Sequence, residues 1–315
     1  MSEQKTVSTL CLNPAVDVTY EVKRLVAEQK SHALTTRHDP GGNGINVGRG
    51  LARLQVNSEN FCVVAGEIGL LLRRLLNTQL KNVHYEEVEG ETRINSTIIE
   101  VNNRTQYQIS GNGTAIPDEQ LECVLHHFIK VTGQGVAVIT GSTQPGISNT
   151  LYAELVCKIR DQGGLPVVDT HHETLQLAID ARPFMIKPNR YELECLLGLS
   201  LATLDDVAKE ARKIQQTGVD YVCVSLGAEG ALLVGPDNSY HATAPMIQVR
   251  SSVGAGDAMV AGMVAGFVSG FQDEDKLRQA VACGAGTAMQ AGTELFDSKD
   301  LAKLMNEIVI CSLDI

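Results

Sequence analysis

The sequence predicts an α/β fold in which helices cover both faces of a mostly parallel sheet. Between about residues 130 and 270, short apolar runs alternate with longer amphipathic stretches, and this alternation is typical of βα units. Buried strands are predicted at 136–140, 166–169, 183–186 and 221–225. Helices are predicted at 151–162, 191–197, 204–217, 275–291 and 297–310.

The first third of the chain has a different pattern. Residues 15–20, 33–38, 93–101 and 105–110 show the alternation of half-buried strands without intervening helices. We expect two stretches of extended chain, about 13–40 and 90–112, to pair into a small separate sheet. No low-complexity linker interrupts the sequence, so we treat residues 1–315 as one domain that carries this sheet.

Composition excludes several classes of function. The formal net charge is −11 and no basic face is visible, which argues against a general nucleic-acid binder. No run approaches the roughly 18–20 apolar residues of a membrane span, and the N-terminal apolar run is too short for a signal peptide. The 8 cysteines form no CxxC pair, so we expect reduced core residues of a cytoplasmic protein. The histidine pairs at 126–127 and 171–172 have no partner at metal-ligand spacing.

Residues 251–262 read SSVGAGDAMVAG, a loop that runs directly into a helix. Gly254, Ala255 and Gly256 precede a single carboxylate, Asp257. An aspartate near a helix start is an ordinary cap, but a cap does not require small residues before it. The turn therefore has a second purpose that helix capping does not explain.

A glycine-rich turn, DPGGNGINVGRGLARL, enters another helix at residues 39–54. It is not a dinucleotide fingerprint, because the third required glycine falls on Val47, and no Gly-Lys-Ser/Thr follows as in a Walker loop. Glycines allow a ligand to approach the backbone, and Asn46 on the first helical turn would face it. A tight turn followed by a packed helix is the alternative at this point.

Polar groups also follow three predicted strands, at the edge where α/β sheets bind ligands. They are Ser142 in VITGSTQPGI, Asn189 and Glu192 in FMIKPNRYELE, and Ser225, Gly227 and Gly230 in VCVSLGAEGALLV. Asn189 and Glu192 share one helix face, where they would hold a water-coated Mg²⁺ or serve as cap and first-turn acid. An ordinary βα loop and a β-hairpin turn are the alternatives for the other two segments.

The order of these motifs is more specific than any one of them. Over nearly its whole length the chain resembles the PfkB, or ribokinase-like, family of carbohydrate kinases. The matching segments are LNPAVD at 12–17, GGNGINV at 41–47, ETRIN at 91–95, TGSTQPG at 140–146, KPNRYELE at 187–194, VSLGAEGA at 224–231 and SVGAGDAMVAG at 252–262. The resemblance implies a three-layer αβα sandwich with a mostly parallel central sheet and a small β-sheet lid, which would also form a homodimer.

The segments LNPAVD and ETRIN are similar to those of the phosphosugar branch of the family. The resemblance thus implies ATP-dependent phosphorylation of a phosphosugar, in the first place fructose 6-phosphate. Fructose 1-phosphate and tagatose 6-phosphate are the alternative acceptors. A non-catalytic sugar-phosphate sensor on the same fold is the alternative from another class, although an intact Asp257 argues against it.

The resemblance also implies a role for each candidate residue. Asp257 would be the general base, and the amides of Gly254, Ala255 and Gly256 an anion hole. The sugar would contact Asp17, Gly42, Asn43, Asn46 and Ser142, with its phosphate on Arg93 and Lys30. ATP would lie on Lys187, Asn189, Ser225, Gly227 and Gly230, and Mg²⁺ near Asn189 and Glu192. The regions around Val253 and 287–294 match a K⁺ site of some members. Arg93 pairing with Glu91 at the surface is the alternative for that residue.

Four positions depart from the family pattern. Asn43 stands where many members have lysine, and the alternative for it is a solvent-facing turn residue. Lys30 matches a phosphate-facing lysine, but His32 replaces an expected arginine, and Ser252 replaces a threonine. The segment AGEIGLLLRRLL at 65–76 lacks the expected GGxxG turn and is shortened.

Overall fold

The computed structural model describes residues 5–103, 105–144 and 146–315, which contain two β-sheets, ten α-helices and one short 3₁₀ helix, Gly227–Glu229. The strands are β1 (Val7–Cys11), β2 (Ala15–Val22), β3 (Ala33–Gly41), β4 (Glu59–Ala65), β5 (Val83–Val88), β6 (Arg93–Glu100), β7 (Gln106–Ser110), β8 (Val136–Thr140), β9 (Leu165–Asp169), β10 (Met185–Ile186), β11 (Tyr221–Ser225), β12 (Ala231–Val234), β13 (Ser239–Ala242) and β14 (Ile310–Ser312). The helices are α1 (Asn43–Arg53), α2 (Gly66–Asn77), α3 (Asp118–Thr132), α4 (Leu151–Asp161), α5 (His172–Asp180), α6 (Arg190–Leu197), α7 (Leu204–Gln216), α8 (Ala255–Val268), α9 (Asp273–Ala288) and α10 (Ser298–Glu307). Pro145 of the predicted 140–146 motif lies outside the described residues.

The large sheet has ten strands in the order β14-β13-β12-β11-β10-β9-β8-β1-β4-β5. Seven neighbouring strands of this sheet are parallel, namely β11, β10, β9, β8, β1, β4 and β5. The other three, β12, β13 and β14, continue the sheet in antiparallel fashion. The carboxyl ends of the parallel strands therefore meet at one edge, which is where α/β sheets place their ligands.

Helices pack on both faces of this sheet, as the sequence predicts. Along β8, Ala137 and Ile139 point into a core shared with α3, α4 and α7, whereas Val136 and Val138 point into a core shared with α8 and α9. All four side chains are fully buried. Successive residues of a strand face opposite sides, so this burial requires helices on both faces of the sheet. The three-layer αβα sandwich is confirmed.

Helix α8 is apolar on all sides because it lies between the sheet and α9. Glycines permit the close approach of these two helices. A Cβ atom at Gly262 would lie 2.7 Å from the Cα of Ala280, and one at Gly284 would lie 2.7 Å from Cγ of Met259. The helix that begins with the GAGD turn is thus fixed at the centre of the molecule.

The second sheet has four strands in the order β3-β2-β6-β7, with β2 antiparallel to β3 and parallel to β6. Its two faces differ as strand alternation requires. Val16 and Val18 of β2 are buried in a core with α2, whereas Asp17 between them pairs in register with Asn95 on the opposite face. One face of this sheet is therefore polar.

The predicted elements differ from the structure mainly at their ends. The last helix, predicted to residue 310, ends at Glu307, and residues Ile310–Ser312 form a strand that pairs with β13. Helix α2 begins directly after β4 at Gly66 and replaces the expected loop. The carboxylate of Glu91 accepts hydrogen bonds from the amides of Glu67 and Ile68, at 3.2 and 3.1 Å, and so caps this helix.

Only half of the cysteines are the buried core residues that the sequence predicts. Cys11, Cys62, Cys223 and Cys283 are buried, but the other four thiols are exposed on helix surfaces and on β14. Among the described residues, no helix has both the length and the apolar composition to cross a membrane.

Candidate active site

A cleft of about 470 Å³ opens at the carboxyl edge of the parallel strands, between the two sheets. It brings together most of the residues selected from the sequence: Asp17, Gly42, Asn43, Asn46, Arg93, Ser142, Lys187, Asn189, Glu192, Ser225, Gly254, Gly256 and Asp257. Lys30 is exposed in the loop between β2 and β3 and does not line the cleft, and Ala255, Gly227 and Gly230 lie outside it as well. We call this space the polar cleft.

A second cleft of about 440 Å³ adjoins the first. It is lined largely by apolar and small residues, among them Pro245, Met246, Ile247, Met259 and Ala285, and also by the predicted Gly227, Gly230 and Ala255. We call it the apolar cleft. Asn189, Ser225 and Gly256 line both clefts, so a ligand with an apolar end and a charged end can lie across the boundary.

Asp257 lies in the polar cleft and is only 5 % exposed. Its Oδ1 accepts a hydrogen bond from Nδ2 of Asn43 and its Oδ2 one from Nδ2 of Asn46, both at 2.9 Å. Burial, and then the charge of Asp169, raise the pKa of Asp257 to about 7, although the two amides and Lys187 act in the opposite direction. A carboxyl group with this pKa is suited to accept a proton near neutral pH.

Asn43 occupies the first residue of α1, and its side chain donates to Asp257. The residue is exposed, but it is not the purely solvent-facing turn residue of the alternative. Its backbone does not have the positive φ that a turn asparagine often adopts.

Lys187 and Asp169 form a buried ion pair beside this carboxylate. The distance from Lys187 Nζ to Asp169 Oδ1 is 3.3 Å, and Lys187 is 4 % exposed. Burial alone lowers the pKa of Lys187, but the carboxylates of Asp169 and Glu192 outweigh it and the pKa is raised, so the lysine remains a cation. The site thus holds a fixed positive charge against the acidic background of the chain.

The turn before α8 leaves backbone amides accessible. Gly254 adopts a left-handed conformation, with φ 78°, and the first bond of the helix runs from the Ala258 amide to the Gly254 carbonyl at 2.9 Å. The amides of Gly256 and Asp257 therefore lack acceptors within the helix. The Ala255 amide differs from the expectation, because it donates to the Ser252 carbonyl at 3.3 Å. A Cβ atom at Gly256 would lie 3.2 Å from Lys187 Nζ, which explains the glycine.

The four-stranded sheet supplies the opposite wall of the polar cleft. Asp17 is 7 % exposed and accepts a hydrogen bond from Nδ2 of Asn95 at 2.8 Å, and burial raises its pKa. The guanidinium of Arg93 donates from Nη2 to the Asn13 carbonyl at 2.8 Å and lines the cleft. The alternative pairing of Arg93 with Glu91 is not formed, because Glu91 caps α2 instead.

Asn189 and Glu192 form a capping box at the start of α6. Their contacts with each other are therefore those of the alternative in which they serve as helix cap and first-turn acid. The Glu192 amide donates to Asn189 Oδ1 and the Asn189 amide donates to Glu192 Oε2, both at 2.8 Å. Both residues nevertheless line the polar cleft. Their oxygens suit a hard cation such as Mg²⁺, but within the described residues no three acidic or histidine side chains form a metal cage.

The carbonyls near the predicted K⁺ region already have donors. Ala288 accepts the amide of Arg250 at 2.8 Å, and Ala291 accepts Nη2 of Arg37 at 2.8 Å. Thr293 accepts Nη1 of Arg49 at 3.4 Å. The K⁺ site stays a prediction.

Sequence reasoning missed Asp169, Thr170, His171, Asn95 and Ser110, all of which line the polar cleft. Asp169 had a usable signal, since it is the last residue of a predicted buried strand, at the same sheet edge as Ser142 and Lys187. Asn95 and Ser110 pair in register on β6 and β7, and strand alternation would have placed them on the face of Asp17.

Comparisons with known proteins identify the family. Residues 10–300 match the family model described as pfkB family carbohydrate kinase. The chain is 30 % identical to the 1-phosphofructokinase of Bacillus subtilis, over 98 % of this chain and 100 % of that protein. It is also 30 % identical to the ATP-dependent 6-phosphofructokinase isozyme 2 of Escherichia coli, over 95 % of this chain and 97 % of the relative.

Solved structures show the same fold. Phosphofructokinase-2 from Escherichia coli in complex with potassium superposes with a TM-score of 0.90 at 29 % identity, covering 96 % of this chain and 98 % of that chain. From its fold, from the site at its sheet edge and from these matches, the chain belongs to the pfkB family of carbohydrate kinases and is an ATP-dependent sugar kinase.

Proposed function

We propose that this kinase transfers the γ-phosphoryl group of ATP to a hydroxyl group of a phosphorylated ketohexose, with fructose 6-phosphate as the preferred acceptor. The observation that carries the proposal is the position of Asp257, which faces the polar cleft next to Gly256 at the boundary of the two clefts. A sugar hydroxyl on one side and a triphosphate on the other would meet there.

In the proposed step, Asp257 accepts the proton of the attacking hydroxyl while that oxygen forms its bond to the γ-phosphorus. The bond from this phosphorus to the β,γ-bridging oxygen breaks, and ADP leaves with the electron pair. The amides of Gly256 and Asp257 and the ammonium of Lys187 face the negative charge that spreads over the transferred group. Phosphoryl transfer requires mainly positioning and charge stabilisation, and preorganised amides supply both.

The apolar cleft fits the base of the nucleotide, and Gly227 and Gly230 lie where its sugar and phosphates would pass toward Gly256. ATP is used as a metal complex, and Mg²⁺ would supply charge neutralisation on the phosphates. Asn189 and Glu192 would hold it, through water, at the cleft boundary, because the ion would find its remaining ligands on the nucleotide. The potassium complex of the Escherichia coli relative supports a K⁺ ion near Val253.

Arg93 supports a phosphorylated acceptor. Among the described residues it is the arginine that lines the polar cleft, and its planar guanidinium matches the oxygens of a phosphate group. Asp17, held by Asn95, would bind the sugar hydroxyls. Fructose 6-phosphate and fructose 1-phosphate both carry a phosphate at one end and a free primary hydroxyl at the other. Phosphorylation of either gives fructose 1,6-bisphosphate, so this arrangement suits both acceptors.

Asn43 favours fructose 6-phosphate over fructose 1-phosphate and tagatose 6-phosphate, because it places a neutral amide, bonded to Asp257, where the family resemblance implies a lysine in many members. Fructose 1-phosphate is the second candidate, supported by the name of the Bacillus subtilis relative. Tagatose 6-phosphate is the third acceptor to test.

An ADP-release assay with fructose 6-phosphate, fructose 1-phosphate and tagatose 6-phosphate tests the proposal. We expect the highest kcat/KM with fructose 6-phosphate, and loss of turnover in Asp257→Asn. A higher kcat/KM with fructose 1-phosphate would replace the preferred acceptor. Binding of one sugar without any turnover would replace the kinase activity with a sensor function.

The small sheet supports a homodimer. Ile94, Tyr107 and Ile109 are 41, 43 and 63 % exposed, and β-sheet register places them on one face. A second copy covering this face would remove the apolar area from water. Ile109→Asp is expected to convert the dimer to a monomer in sedimentation velocity. A wild-type protein that is monomeric at all concentrations contradicts this assembly.

A further inference from the structure

Among the described residues, Arg49 is the largest polar side chain that is fully buried, and the proposed reaction gives it no role. It lies in the middle of α1 and is 1 % exposed. An arginine carries its charge at all relevant pH values, so a complete burial of this kind is costly unless the guanidinium is well bonded. Its contacts therefore merit a functional explanation.

The guanidinium contacts three separate parts of the chain. Nε donates to Gln79 Oε1 at 2.7 Å, and Nη1 donates to the Pro40 carbonyl at 3.2 Å and to the Thr293 carbonyl at 3.4 Å. Nη2 has no hydrogen bond and lies 3.9 Å from the carboxylate of Glu294. These contacts hold the guanidinium in one place beside α1.

A fourth contact leads to the base. Nη1 of Arg49 also donates to Asn46 Oδ1 at 3.1 Å, and Asn46 Nδ2 donates to Asp257 Oδ2 at 2.9 Å. A guanidinium group has only donors, so the asparagine must turn its oxygen toward Arg49. Its NH₂ group is then the end that faces the carboxylate. In the opposite orientation, two acceptor oxygens would meet at Asp257 and two donors at Arg49.

We propose that Arg49 is a positioning residue of the kinase. It fixes the side-chain amide of Asn46 so that the NH₂ group of Asn46 donates to the carboxylate of Asp257, which accepts the proton. This inference rests on the proposed role of Asp257 as base. Because Pro40 and Thr293 share the same guanidinium, the orientation of the base is also tied to the end of β3 and to the loop before α10.

The charged and titratable groups that face Asp257 are Asp169 at the end of β9, Lys187 after β10 and the thiol of Cys11 on β1. None of them contacts Arg49 in the described structure. A variant of Arg49 therefore acts on Asp257 through Asn46 and not through these neighbours.

The test is the pH profile of kcat/KM, measured by ADP release with whichever of fructose 6-phosphate and fructose 1-phosphate the wild type phosphorylates. In Arg49→Met we expect the acid limb to move up by about 1–2 pH units, because a hydrogen bond to a charged group is lost. Activity at pH 7 then falls roughly 5- to 50-fold and recovers as the pH rises.

Gln79→Leu is the matched control, because it removes another partner of the same guanidinium and leaves the Asn46 contact in place. Its acid limb is expected at the wild-type position. In an Asn46→Ala background, Arg49→Met is expected to cause no further shift. If Arg49→Met does not fold, Arg49→Gln replaces it. This side chain keeps polar atoms near Gln79, is two atoms shorter than arginine and is expected to give the same upward shift.

An acid limb at the wild-type position in a folded Arg49 variant overturns the inference. The inference is also overturned if Arg49→Met still shifts the acid limb in the Asn46→Ala background, or if Gln79→Leu alone shifts the acid limb to the same extent. The proposed function fails separately, when the wild type phosphorylates none of the sugars or when Asp257→Asn keeps its activity.

Discussion

Replacement of Asp257 by asparagine should abolish turnover and at the same time stabilise the fold at neutral and alkaline pH. Burial and the charge of Asp169 raise the pKa of this carboxyl from 3.8 to about 7. At about 1.36 kcal/mol per pH unit, ionising it in the folded protein costs about 4 kcal/mol more than in the unfolded chain. The active site therefore carries a destabilising charge that asparagine does not have.

The sign of the pH dependence follows from the direction of this shift. The folded state holds the proton more strongly, so the stability contribution of Asp257 is fully present below pH 4 and is lost as the pH rises to about 7. The free energy of unfolding of Asp257→Asn, relative to wild type, should therefore increase by about 4 kcal/mol between pH 4 and pH 8. The substitution also removes hydrogen bonds that Asp257 accepts from Asn43 and Asn46. This loss adds to the stability difference an offset that does not change with pH.

Urea unfolding at several pH values and ADP release at saturating substrate measure the two effects. General base catalysis typically contributes about 10²–10⁴-fold, so kcat should fall by at least that range. Asp237→Asn, in the exposed turn between β12 and β13, is the control and should keep wild-type turnover. A stability difference that is constant with pH would refute the raised pKa, and a kcat above about one tenth of wild type would refute the role as base.

Three further substitutions test other parts of the site. Arg93→Ala should raise KM for the phosphosugar about 10- to 100-fold and leave KM for ATP unchanged, since it removes a charged hydrogen bond; equal losses for both substrates would indicate a folding defect. Asn43→Lys should shift the acid limb of kcat/KM downward, because an ammonium near Asp257 favours its ionised form, and should change the kcat/KM ratio of fructose 6-phosphate to fructose 1-phosphate; a ratio within about twofold of wild type would remove position 43 from acceptor choice. Gly256→Ala should lower kcat about tenfold or more in the same assay, because its methyl group would lie 3.2 Å from Lys187 Nζ and obstruct the anion site; an unchanged kcat would exclude that site.

Much of the fold and of the site was predictable, because the relevant signals are local. The central strands β8, β9 and β11 are short, largely apolar runs, and the glycine-rich turns at 41–44 and 254–256 precede helices in a pattern that ordinary capping does not produce. Asp257 was identifiable because its surroundings depart from ordinary capping.

The residues that sequence reasoning missed depend on contacts between distant segments. Arg49 carries no sequence signal of its own, because arginine is usually exposed, and its burial results from Gln79 and Thr293, which approach it in the folded chain. The end of a predicted buried strand marks Asp169 as a candidate, but its ion pair with Lys187, which follows the neighbouring strand, is visible only in the folded chain. Strand β14 was missed because three residues after a helix are too few for a periodic signal.

The glycine-mediated packing of α8 against α9 determines which side of the enzyme can move during the reaction. Gly262 lies against the backbone of Ala280, and Gly284 lies against the side chain of Met259, so α8 and α9 pack too closely for α8 to move independently of α9. We therefore expect any closure over a bound sugar to be a movement of the four-stranded sheet and Arg93 toward Asp257, with α8 remaining in place. Substrate-dependent protection from hydrogen exchange should accordingly concentrate in β2, β6 and β7, while the amides in the body of α8 exchange at the same slow rate with and without ligand.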